Sequence, residues 1–142
     1  MNKQIELNCR GDILKQIIQV NDEQKQKIIE LEKKCEAICL ALEQKYQPEF
    51  KRLGQQLVIE LIRKKKGKPT TDLDILEIDY ESFIEVGIEH NEEYFPNAYI
   101  PIWKCKGEWF QKIGYLTRRS SQQLEAMVSL LVKEMLSDKE GD

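Results

Sequence analysis

From Asn21 to Tyr46 nothing in the sequence breaks a helix, and apolar residues recur at Ile28, Leu31, Cys35, Ile38 and Leu42. Their spacing alternates between three and four, as at the a and d positions of a coiled coil. Asn21 followed by Gln24 resembles a capping box, and Asp22 and Glu23 suit the positive end of a helix dipole. Burying a leucine or isoleucine stabilises by about 1.5 to 3 kcal/mol, so such a helix must lay its stripe against something. The candidate seam is Ile28, Leu31, Ile38 and Leu42, widened by Cys39 and Ala41 toward its C-terminal end.

The surface nearest in sequence is a second helix. Pro48 marks a boundary, since proline fits a first helical turn and clashes in the middle of one. Phe50, Leu53, Leu57, Val58, Leu61 and Ile62 then follow helical spacing until Gly67 and Pro69. The expectation is a helical hairpin portion over 1–66, coiled-coil-like, with the seam packed on Leu53, Leu57 and Leu61 or on a second copy of the chain. Before it, Ile5, Leu7 and Cys9 alternate like a strand. Arg10-Gly11-Asp12 reads as a turn, and Asp12 can cap a short helix carrying Ile13, Leu14, Ile17 and Ile18.

Residues 71–137 read as a mixed portion. A segment with Leu73, Ile75, Leu76 and Ile78 fits strand or helix, and a helix is expected over Tyr80–His90. Between 99 and 116 two β-prone runs flank Lys106-Gly107-Glu108, the best hairpin signal in the sequence, with Pro101 confining the first run to a sheet edge. Ser120 or Ser121 caps a final helix with Leu124, Met127, Val128, Leu131, Val132 and Met135 on its apolar face, and 138–142 is a fraying tail. The fold class expected is an α-rich α+β single domain over 1–142.

Composition narrows function by exclusion. The 142 residues are 41% hydrophobic and 33% charged with a formal net charge of −3, which suits a folded, soluble chain with no global attraction to phosphate backbones. No apolar run is long enough for a membrane span, and the first residues lack a signal-peptide core, so no membrane partner and a cytoplasmic location are expected. Cys9, Cys35, Cys39 and Cys105 show no CxxC spacing and read as small hydrophobes. No phosphate loop, dinucleotide turn or HExxH helix occurs, so no cofactor and no metal are expected.

What remains is sparse. His90, the only histidine, sits at an expected helix end before Asn91-Glu92-Glu93, where the dipole accounts for it, although a pairing with Cys105 is arithmetically open. Asp72, Asp74, Glu77, Asp79 and Glu81 read as a solvated edge. Trp103, Trp109 and Tyr115 are candidate partner-binding aromatics. The basic run Arg63, Lys64, Lys65, Lys66 and Lys68, joined by Arg118 and Arg119, is a candidate nucleic-acid patch. The leading expectation is a non-enzymatic protein–protein interaction module, of adaptor, inhibitor or immunity type, self-associating through its N-terminal helices. A nucleic-acid-binding protein is the alternative, and an enzyme with an unrecognised site is the third reading.

Overall fold

The long helix forms where its stripe and cap place it, but it does not pack on another helix of a hairpin. In the computed structural model, which describes residues 15–140, it lies across a six-stranded antiparallel sheet. The elements are β1 (Lys15–Gln19), α1 (Asp22–Arg52), β2 (Gln56–Lys65), β3 (Lys68–Pro69), a 3-10 turn (Asp72–Asp74), β4 (Tyr80–His90), β5 (Glu93–Glu108), β6 (Gln111–Thr117) and α2 (Ser121–Glu140). The strand order is β1-β6-β5-β4-β2-β3. Among the described residues there are two α-helices, so the α-rich fold with a helical hairpin and coiled coil is corrected to a mixed fold built on one large sheet. The strand expected at Ile5, Leu7 and Cys9, the turn at residues 10–12 and most of the short helix lie outside the described residues. Ile17 and Ile18, assigned to that helix, belong to β1.

Helix α1 starts at the Asn21 cap, whose side-chain oxygen accepts from the Gln24 N–H at 2.9 Å. It continues through Pro48, which lies exposed near its last turns. It stops at Gly54, whose φ of +74° needs no Cβ penalty. There the Gln55 N–H bonds the Phe50 carbonyl and the Gly54 N–H bonds that of Lys51, a Schellman ending. Glycine 54, not Pro48, is the real boundary. Beyond it Leu57, Ile59 and Leu61 alternate with Val58, Glu60 and Ile62, and the β-branched content carries the segment into a strand rather than a second helix.

The same correction applies at β4. Tyr80, Ser82, Ile84 and Val86 are buried in alternation, the period of a strand covered on one face, and the helix expected there does not form. Strand β5 is longer than expected and central, between β4 and β6. Its prolines are accommodated by bulges: register shifts fall between Ser82 and Phe83, opposite Pro101, and between Val86 and Gly87, opposite Pro96. The hairpin expected at 99–116 is real, but its turn is Trp109-Phe110, with Glu108 opposite Gln111. Helix α2 opens with a reciprocal Ser120–Gln123 capping box and runs to Glu140, through residues expected to fray.

Both helices cover one face. Ile28, Cys35, Cys39, Leu42, Tyr46 and Phe50 of α1 join Leu124, Val128 and Val132 of α2 over Leu57, Ile59, Ile84, Val86 and Ile100 of the sheet. Of the expected seam residues, Ile28 and Leu42 are buried and Leu31 and Ile38 only partly, and what they pack on is a sheet and α2 rather than the second helix of a hairpin. Tyr46 bonds Ser129 at 2.9 Å and ties the helices together. Gln47 of α1 also closes the open edge of β2, accepting from the Leu57 N–H at 2.7 Å and donating to its carbonyl at 2.9 Å. Glu43 accepts from the Ile59 N–H beside it. These side chains stand in for a neighbouring strand and block edge-to-edge pairing there.

Candidate functional site

Because alternate residues of a strand point to opposite faces, burying Tyr80, Ser82, Ile84 and Val86 under the helices turns Glu81, Phe83, Glu85 and Glu89 outward. Strand pairing extends these into rows across the uncovered face. Lys64, Glu81, Lys104, Tyr115 and Ile17 form one row; Ile62, Phe83 and Pro101 the next; Glu60, Glu85 and Tyr99 the third; Gln56, Glu89 and Tyr94 lie beyond. No helix among the described residues covers this side.

The middle of the face is aromatic. The Phe83 and Tyr99 rings meet edge to face at 5.7 Å, Lys64 Nζ stands 5.9 Å from the Phe83 centroid, and Lys106 Nζ stands 5.7 Å from that of Tyr115. Two shallow hollows of about 350 and 440 Å³ flank this centre and share Glu81, Phe83 and Tyr99 as walls. Tyr99 is 68% exposed although it lies within a central strand.

The face is electrically polarised along the strands. At one end stand Lys64, Lys104 and Lys106, with Glu81 between the first two. At the other are Glu60, Glu85 and Glu89. Partial burial, and then the neighbouring Glu85, Glu43 and Glu89, raise the Glu60 carboxyl above its ordinary range. Tyr94, whose ring lies over Gly87, is pushed up to about 12 by burial first and then by Glu85, Glu60 and Glu89.

The candidates read from sequence are dispersed by this geometry. Trp103 is core: 1% exposed, it donates from Nε1 to the Ile75 carbonyl at 2.8 Å. Trp109 is 86% exposed at the β5–β6 turn, and Tyr115 lies half-buried on the open face. The basic run does not form one surface, since strand alternation sends Arg63 under α1, where it bonds Glu32 at 3.0 Å and Glu36 at 3.2 Å, and Lys64 outward. Lys65 pairs with Glu77 at 3.7 Å, while Lys66 lies in the β2–β3 turn and Lys68 follows it. Arg118 and Arg119 follow β6, three strand spacings from β2, or roughly 14 Å.

His90 bonds the Gly54 carbonyl at 3.1 Å and ends a strand, not a helix. Cys105 lies beside the opposite end of β4, next to the Lys104–Glu81 pair, roughly 30 Å away along the strand. The two do not meet. Among the described residues no group of three or more His, Cys, Asp or Glu is placed to hold a metal ion, and no helix is long and apolar enough to cross a membrane. Phe83, Tyr99 and the acidic triplet were invisible in sequence as a group, because only strand register brings them together. Set against models of known protein families, curated proteins and solved structures, the chain matches none of them.

Proposed function

We propose that this protein is a protein–protein interaction module whose binding surface is the uncovered face of its sheet. The observation that carries this reading is the Phe83–Tyr99 pair, aromatic and accessible in the centre of a face with charges of both signs around it. Large aromatics with a polar handle and a charged rim are the composition of interaction hot spots. The acidic end, Glu60, Glu85 and Glu89, sets this surface apart from a nucleic-acid platform, where phosphates would be repelled. Dispersal of the basic run weakens that alternative further.

A photo-crosslinking amino acid placed at Tyr99 tests the reading in cells of the native host, with the same group at exposed Lys34 on α1 as reference. A discrete protein adduct from position 99 and none from position 34 is expected. No adduct from 99, or equal adducts from both faces, removes the proposal.

A further inference from the structure

We infer that the occupant of the open face is a second copy of this chain, docked sheet to sheet about a two-fold axis that crosses the strands along the Ile62, Phe83 and Pro101 row. This rests on the reading of that face as a protein-binding surface and names its partner. The argument is one of symmetry. In a closed homodimer the same patch meets itself, so the patch must be self-complementary. An axis lying in the face and running across the strands carries each residue on one side of it onto the residue of the same strand on the other side.

On β2, Lys64 and Glu60 lie two positions to either side of Ile62. The axis therefore sets Lys64 of each copy against Glu60 of the other. On β5 it sets Lys104 over Tyr99, a cation on a ring, and on β4 it stacks Phe83 on its own counterpart. It also brings Glu81 toward Glu85, a repulsion offset by Lys64 and Lys104 on either side of Glu81 in its own row. An axis along the strands fails, because it would set Lys64 against Lys104.

Charge supplies a second reason. Glu60, Glu85 and Glu89 repel one another on a face where, among the described residues, none of them is paired with a cation. The Lys64 and Lys104 row of a second copy sets Lys64 on Glu60 and places a lysine on either side of the position facing Glu85. Size sets the strength: three strands, β2, β4 and β5, run to both sides of the axis, and at about 4.8 Å per strand and nine residues at about 3.3 Å they give a footprint of roughly 430 Å², the scale of a weak, concentration-dependent dimer rather than of the about 800 Å² per partner of a standard interface. Sheets packed this way lie nearly aligned, as in sandwiches.

The test is a charge swap read by light scattering and sedimentation on the full chain over a wide concentration range. Wild-type protein is expected to dimerise. Lys64→Glu sets Glu against Glu60 twice and Glu60→Lys sets Lys against Lys64 twice, so each variant should weaken the dimer by about tenfold or more. Thermal melts should stay cooperative and close to wild type, because both side chains point away from the core. An equimolar mixture of the two variants restores opposite charges at both contacts and should recover the dimer. A wild-type monomer at every concentration overturns the inference, as do a dimer indifferent to both variants and a mixture that stays monomeric. If the monomer still gives a Tyr99 adduct with a different protein, the open-face reading survives and the second copy does not.

Discussion

The indole ring of Trp103 fills the space that a side chain at Gly114 would need: a Cβ built on Gly114 falls inside the six-membered ring's contact distance. The ring cannot step aside, because its Nε1 is anchored to the Ile75 carbonyl at 2.8 Å in a loop closing that end of the core. Gly114→Ala should therefore destabilise the domain by about 1 to 3 kcal/mol, the cost of overpacking a rigid site. Urea unfolding followed by Trp fluorescence measures it. A midpoint equal to wild type would show that the sheet yields around the ring at no cost.

Beneath α1 a charged cluster is built into the core. Glu32, 0% exposed, accepts from Arg63 Nε at 3.0 Å and from the Tyr80 hydroxyl at 2.7 Å. Removing one partner strands a buried carboxylate, so Arg63→Met should cost about 3 kcal/mol, the low end for a broken buried pair because Arg63 retains some contact with water. Replacing the set together, Glu32→Leu with Arg63→Met and Tyr80→Phe, should recover much of that loss. Chemical denaturation of both variants checks the pair of outcomes; a triple variant less stable than the single one contradicts the desolvation argument.

Sequence pattern made α1, α2 and the β5–β6 pairing legible because each is specified locally, by Asn21 and Gln24, by Ser120 and Gln123, and by an aromatic and β-branched run. It misled at β2 for a physical reason. Phe50, Leu53, Leu57 and Leu61 satisfy spacings of three and four, while Leu57, Ile59 and Leu61 equally satisfy a spacing of two, and only Gly54 separates the readings. The open face was less legible still. Tyr115 and Lys64 could be named as accessible residues, but the meeting of Phe83 with Tyr99 depends on a strand register interrupted by two bulges. Sequence alone leaves Trp103 open between core and interface, because tryptophan serves both, and it is the strand register that buries it.

Alkali should loosen the fold through its buried thiols. Burial, then Glu32 and Glu36, push Cys35 from 9.0 up to about 12, and burial, then Cys35 and Glu43, do the same for Cys39. The folded state holds the neutral thiols, so their contribution is complete below pH 9 and is lost as pH rises from 9 toward 12. Tyr80, raised by burial and by Glu32, adds loss in the same direction. The urea midpoint should be flat in this respect below pH 9 and fall above it. Cys35→Ala with Cys39→Ala should start lower and fall less steeply; identical slopes for the two proteins would exclude the thiols as the cause.

The β5–β6 turn is where the chain holds strain in the open. Three hairpins here have two-residue turns with both φ angles positive, the type I′ geometry that matches strand twist. Lys66-Gly67 and Asn91-Glu92 each include a residue suited to it, whereas Trp109 and Phe110, at φ +50° and +65°, include none. A left-handed conformation costs roughly 1 to 2 kcal/mol for such a residue, and both side chains are exposed, so little packing offsets it. Replacing the pair by Trp109→Asn and Phe110→Gly should therefore stabilise the domain by about 1 to 3 kcal/mol, seen as a higher thermal midpoint, while Trp103 still reports a native core by fluorescence. Strain of this kind persists where a sequence is held for something other than stability, and two aromatics at a tip are costly to solubility as well. A lower midpoint in the Asn-Gly variant would mean that Trp109 and Phe110 contribute contacts that outweigh their backbone cost, and the turn would then be part of the fold's support rather than a place where stability has been given up.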